Sequence, residues 1–155
     1  MVSFIKKNIS LSLLFLLIMS FSDAQQEVNP LEIPQFVLKT YADMYPTMEV
    51  VKWYQKDANY WAKVERDGIK GTVKITGGGS WIATEWEMDV KDMPSKIKDH
   101  LKLQYPKFSV SRMILETRMQ PNYVIFLFNK KEKTTKTVFY TTTGDFIREL
   151  DVEYE

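Results

Sequence analysis

Val37, Tyr41 and Tyr45 recur four residues apart, and Ile97, Leu101 and Tyr105 repeat the pattern 60 residues later. Spacing of four keeps side chains on one helical face. Pro34 and Pro94 stand just before each set, and Pro46 and Pro106 just after. Proline suits the first helical turn, where its missing N–H has no partner. A second proline pushes the residue before it out of the α region and stops the helix. The spacing therefore predicts two three-turn amphipathic helices, within IPQFVLKTYADMYP (33–46) and MPSKIKDHLKLQYP (93–106).

Each helix is followed by segments that alternate as strands do. After the first come 49–55, 59–66, 69–75 and 81–88; after the second come 108–117, 122–129, 134–142 and 145–154. Asp67–Gly68 between two alternating runs is a strong hairpin signal. Thr143–Gly144 marks another turn, and 130–133 a polar loop. Tyr60 and Tyr123 match at an offset of 63, Gly79 and Gly144 at 65, so the second copy is longer only in its turns. Turns are where insertions are tolerated. The expected fold is α+β: two tandem helix–four-strand (αβ4) repeats, 33–89 and 90–155, forming one antiparallel sheet with both helices on one face. One such unit is marginal alone, and two side by side share a core and remove an exposed sheet edge.

The order apolar–Pro, short helix, YP, VVKWYQKDANYWAKVERDG and GGGSWIATEWEM resembles the PepSY-like, beta-lactamase-inhibitor-like domain family of exported bacterial proteins. The resemblance spans residues 33–155. It implies a curved antiparallel sheet similar to the tandem repeats of beta-lactamase inhibitory protein, with helices on the convex side and an open concave face that binds a target. The TGGGS turn (76–80) departs from the family's more usual acidic residue before glycine, so no carboxylate role is carried to that turn.

The amino terminus reads differently. Lys6 and Lys7 precede the apolar run 11–21, and Ser22–Asp23–Ala24 offers small residues for cleavage before Gln25. This pattern predicts a secretory signal at 1–24, followed by a linker at 25–32. A membrane anchor is the rival, but a span needs about 20 apolar residues. The expected location is periplasmic or secreted, with no membrane span after cleavage. The chain has 155 residues, 45% hydrophobic and 14% aromatic, which suits a folded domain. It has no cysteine, hence no disulfide, thiol nucleophile or cysteine-bound metal. Removing 1–24 takes two of 21 basic and one of 20 acidic residues, leaving 19 of each. A nucleic-acid partner, which would call for basic excess, is not expected.

Enzymatic groups are sparse, and the chain is expected not to be an enzyme and to need no cofactor or metal. His100, the single histidine, falls one position before core-facing Leu101 and reads as a surface or flanking residue. TGGGS lacks the following Lys-Ser/Thr and helix of a phosphate loop, and reads as a hairpin turn. Glu85, Glu87 and Asp89 alternate along one strand, as do Glu149, Asp151 and Glu153 along the last. Such ladders fit either a cation-sensing module or a solvated strand face. The basic loop 129–136 reads as a soluble hairpin tip.

The faces of the sheet say more. Tyr60, Ala62 and Val64 alternate with Trp61, Lys63 and Glu65, and the mixed second set should face away from the helices. In the matching strand, Tyr123, Ile125 and Leu127 belong to the helix side, leaving Val124, Phe126 and Phe128 on the other. With Phe139 next door, Trp61, Phe126 and Phe128 would form an exposed apolar patch flanked by Lys63 and Lys74. Such patches mark partner surfaces. The alternatives are a sheet curled enough to bury them, or a register shifted by one. The expected function is a non-catalytic, monomeric module that grips an unidentified envelope or extracellular protein, with inhibition of an envelope hydrolase as one outcome. The competing expectation is a ligand- or cation-sensing module using the acidic ladders.

Overall fold

The computed structural model describes residues 25–151. The expected signal segment 1–24, Glu153 and the end of the last expected strand lie outside them. Nine strands form one sheet in chain order, every neighbouring pair antiparallel: β1 (Gln26–Val28), β2 (Val50–Lys56), β3 (Asn59–Arg66), β4 (Ile69–Thr76), β5 (Trp81–Met88), β6 (Ser109–Thr117), β7 (Asn122–Asn129), β8 (Thr134–Thr141) and β9 (Phe146–Leu150). Helix α1 (Gln35–Met44) precedes β2 and helix α2 (Ser95–Gln104) precedes β6. The architecture is α+β.

The helices begin and end where the prolines dictate, with one adjustment. Pro34 and Pro94 are N-caps and not first helical residues; their carbonyls accept from Val37 and Leu38, and from Ile97 and Lys98. Tyr45 and Tyr105 close the helices, each N–H returning to a carbonyl four residues back. The stretch read as a linker differs more. Gln26–Val28 pairs with Gln55, Tyr54 and Trp53 of β2, and Pro30–Glu32 forms a 3₁₀ turn whose Leu31 N–H is accepted by Asn29 Oδ1 at 3.0 Å. Three residues are too few to display a period, so this edge strand left no alternation to read.

Both helices lie on one face. Val37 and Tyr41 of α1 pack on Tyr60, Ala62, Val64 and Val73; Ile97 and Leu101 of α2 pack on Met113, Ile125, Leu127 and Val138. Tyr41 meets Trp53 edge-on at 5.6 Å between ring centroids, and its hydroxyl donates to Met48 O at 2.9 Å. Burial pushes the Tyr41 hydroxyl up to about 12. The Asp67–Gly68 turn has positive φ at both residues, the geometry that matches strand twist in two-residue hairpins.

Irregularities recur at matching distances. Bulges interrupt the pairing at Val50/Lys52 and Val110/Arg112, 60 apart, and at Lys74/Ile75 and Phe139/Tyr140, 65 apart. Gly79 and Gly144 both sit at φ +85°, each against a helix: a Cβ on Gly79 would lie 2.9 Å from Phe36 Cβ, and one on Gly144 3.2 Å from Lys96 Cβ. The TGGGS turn is thus docked on α1, where Thr40 Oγ1 also donates to Gly79 O. The helix-closing tyrosines reach the sheet likewise, Tyr45 to Thr84 Oγ1 at 2.7 Å and Tyr105 to Glu149.

Candidate functional site

The second face of the sheet is lined by strand side chains, and its apolar cluster draws on strands alone. The register places the residues named from the sequence on this face. Trp61 stands opposite Lys74, Lys63 opposite Thr72, Phe126 opposite Thr137 and Val124 opposite Phe139. The alternation of β3 and β7 was therefore assigned to the correct sides.

The exposed apolar patch expected there does not form. Phe126 is 3% exposed and Phe139 4%, and with Ile114 and Val124 they make a closed cluster against Leu150. Two arginines cover it. The Arg112 guanidinium lies 5.0 Å from the Phe126 ring centroid, and Arg148 lies 4.3 Å from that of Phe139. Each arginine is the direct cross-strand partner of the ring beneath it. A guanidinium stacks on an aromatic face favourably and keeps its edge in water. Phe128 remains half-buried at the margin, with Lys133 Nζ 5.9 Å from its ring.

The β2–β5 half of this face is polar. Trp61, half-buried, gathers three ammonium groups: Lys74 at 4.3 Å, Lys63 at 5.8 Å and Lys56 at 5.9 Å from its ring centroid. Lys74 is only 6% exposed and pairs with buried Glu85 at 2.6 Å. Lys74 therefore supports the surface from beneath and is not itself accessible, contrary to its expected flanking place. Lys63 donates to Thr72 Oγ1 at 2.9 Å and, among the described residues, has no carboxylate within 4.0 Å of its Nζ. Burial pushes the Lys63 ammonium below the ordinary lysine range; Arg112 and Lys74 add to this, opposed by Glu85 and Glu87. Residues Lys52, Tyr54, Lys63, Lys70, Thr72 and Glu87 line a cleft of about 430 Å³ around it.

The acidic ladders are dispersed among internal partners. Glu85 holds Lys74, Glu87 forms a forked pair with Arg112, and Asp89 accepts from Lys91 N at 2.9 Å to cap a short turn. Glu149 accepts from Tyr105 and Lys136, which also holds Asp151. The Tyr105 hydrogen bond holds the Glu149 carboxyl below its usual range. Among the described residues no three acidic or histidine side chains converge as metal ligands do. His100 is half-buried on the flank of α2, its Nδ1 2.9 Å from the Tyr140 hydroxyl and its ring stacked on Phe146. No helix among the described residues is long and apolar enough to cross a membrane.

Sequence reading missed Arg112, Arg148, Tyr54 and Thr72. Pairing outward from the β6–β7 turn places Arg112 beside Phe126, so that contact left a signal. Arg148 did not, because the bulge at Phe139/Tyr140 shifts the count by one.

No family model matches the chain, and no curated protein matches it. Solved structures do resemble it. A DUF2874 family protein from Bacteroides uniformis is 20% identical with a TM-score of 0.67, covering 77% of this chain and 89% of that one. A BLIP-like protein from Bacteroides fragilis is 20% identical with a TM-score of 0.64, covering 79% and 89%. A candidate periplasmic protein from Bacteroides eggerthii is 19% identical with a TM-score of 0.65, covering 77% and 88%. At these identities the likeness is one of fold.

Proposed function

We propose that this chain is an exported, non-catalytic binding module of the PepSY-like type that grips a protein partner through the second face of its sheet. One observation carries the reading: both helices pack on the first face, while the second presents half-buried Trp61 and Lys63 beside buried Lys74, and half-buried Phe128 at the margin of the arginine-covered Phe126–Phe139 cluster. An aromatic anchor held rigidly by what lies beneath it, with polar groups at its margin, is how interface hot spots are built. Lys6 and Lys7 followed by the apolar run 11–21 support export to the periplasm or beyond. The BLIP-like name of one structural neighbour supports, by analogy of shape, inhibition of an envelope hydrolase as one outcome of such binding. We read the two helix–four-strand blocks as copies of one ancestral unit, because bulges, turn glycines and helix-closing tyrosines recur at offsets of 60 to 65. The protein acts as a monomer.

Photo-crosslinking in native cells from a reactive residue placed at Lys70 is the test. A crosslinked species that disappears with Trp61→Ser or Phe128→Ser, in variants that retain their melting temperature, is the expected result. A species unchanged by both substitutions would remove the proposal.

A further inference from the structure

Resting on that docking reading, we infer that the cleft beside Trp61 receives a single carboxylate side chain of the partner, held by Lys63 and Thr72. The cation balance around Lys63 carries the argument. Its direct cross-strand neighbour on β2 is Lys52, a like charge that is unfavourable unless something anionic intervenes. Lys52 is drawn to Glu27 at 2.9 Å, Lys74 to Glu85, and Arg112 to Glu87. Lys63 is left half-buried with a neutral hydroxyl as its hydrogen-bond partner. An ammonium has three donors, so two remain to be directed into the cleft. A desolvated cation without a counter-ion is costly, and an incoming anion would relieve that cost.

The same cleft limits which anion fits. Glu87 and Glu65 line it and Glu85 lies beneath, so a dense polyanion would meet repulsion that one carboxylate between Lys63 and Thr72 avoids. Tyr54 lines one side of the cleft, and Trp61, its cross-strand partner on β3, continues that aromatic surface beyond the cleft, a surface suited to a peptide chain.

The test is an NMR titration of the whole protein with acetyl-Gly-Glu-Gly-amide and acetyl-Gly-Gln-Gly-amide, with inorganic phosphate and trigalacturonate as separate arms. The glutamate peptide should shift the Lys63 and Thr72 amide signals and saturate at about tenfold lower concentration than the glutamine peptide, the worth of one charge-assisted hydrogen bond. Lys63→Met, at an unchanged melting temperature, should erase that preference, and Lys63→Arg should keep it. Equal saturation by the two peptides, a preference that survives Lys63→Met, or tighter saturation by phosphate or trigalacturonate overturns the inference. Crosslinking that depends on Trp61 but not on Lys63 also overturns it while leaving the docking reading standing. A glutamate preference without any Trp61-dependent crosslink does the reverse.

Discussion

Glu85 on β5 and Glu116 on β6 stand directly opposite each other, both buried, each leaning away to its own cation: Glu85 to Lys74 at 2.6 Å and Glu116 to Arg118 at 2.8 Å. Two carboxylates facing across a ladder repel. Each cation draws its carboxylate away from the other. Removing one partner of a buried pair strands the other, at a cost of about 3–5 kcal/mol, whereas replacing both with apolar groups is often neutral. Lys74→Met should therefore destabilise the protein by about 3 kcal/mol in urea unfolding, and Lys74→Met with Glu85→Leu should recover most of it. A double variant no better than the single would refute this account.

Phe126 and Trp61 should separate in a stability assay. Phe126 lies in the closed cluster, so Phe126→Ala should cost about 3–5 kcal/mol. Half-buried Trp61, as Trp61→Ser, should cost less than half as much. Serine at Phe126 is consequently a poor probe of binding, because it tests folding first. Phe128 is the better companion to Trp61.

The turn glycines give a controlled comparison. Gly68 and Gly79 both have positive φ, but a Cβ on Gly68 meets nothing within 4 Å, while one on Gly79 would strike Phe36 Cβ and O at 2.9 Å. Gly68→Ala should cost about 1 kcal/mol from backbone strain alone. Gly79→Ala should cost at least twice that, because helix α1 must also move. Equal melting temperatures for the two variants would mean that the TGGGS turn is not docked.

Alkaline stability should respond to two opposed effects. The Tyr41 hydroxyl is raised to about 12 by burial, and Tyr140 likewise. The unfolded chain loses these protons near 10, so their contribution is full below pH 10 and is lost as pH rises towards 12. Lys63 runs the other way. Its folded form sheds a proton below 10.5 while the unfolded form keeps it, so its penalty fades as pH climbs towards 10.5. Tyr41→Phe should flatten the fall above pH 10, and Lys63→Met should remove the rise below it. Urea midpoints between pH 8 and 12 measure both.

How much the sequence disclosed depended on the range of the interaction. Helix positions followed from Pro34, Tyr41 and Pro46, all within one short stretch, and strands 59–66, 81–88 and 122–129 fell within the bounds read from the sequence, the last from its continuous apolar run. The assignment of Tyr60 and Trp61 to opposite faces was likewise local. What covers Phe139 was not. Arg148 reaches it through a bulge, and a bulge displaces every partner beyond it without altering the alternation. The cover over Phe126 lay within the unbroken part of the β6–β7 register, so its burial, one of the two outcomes the alternation allowed, was partly legible. Lys74 looked like a surface lysine because nothing in its neighbourhood of β4 announces Glu85.

The connection between the two halves of the sheet is a five-pair ladder, from Thr84–Thr117 to Met88–Met113. Severing the polypeptide in the 89–94 segment and discarding the later portion would strip β5 of its neighbour and leave its amide and carbonyl groups bare. A bare edge of this kind is a template for pairing with another chain. In the intact chain β6 occupies that edge.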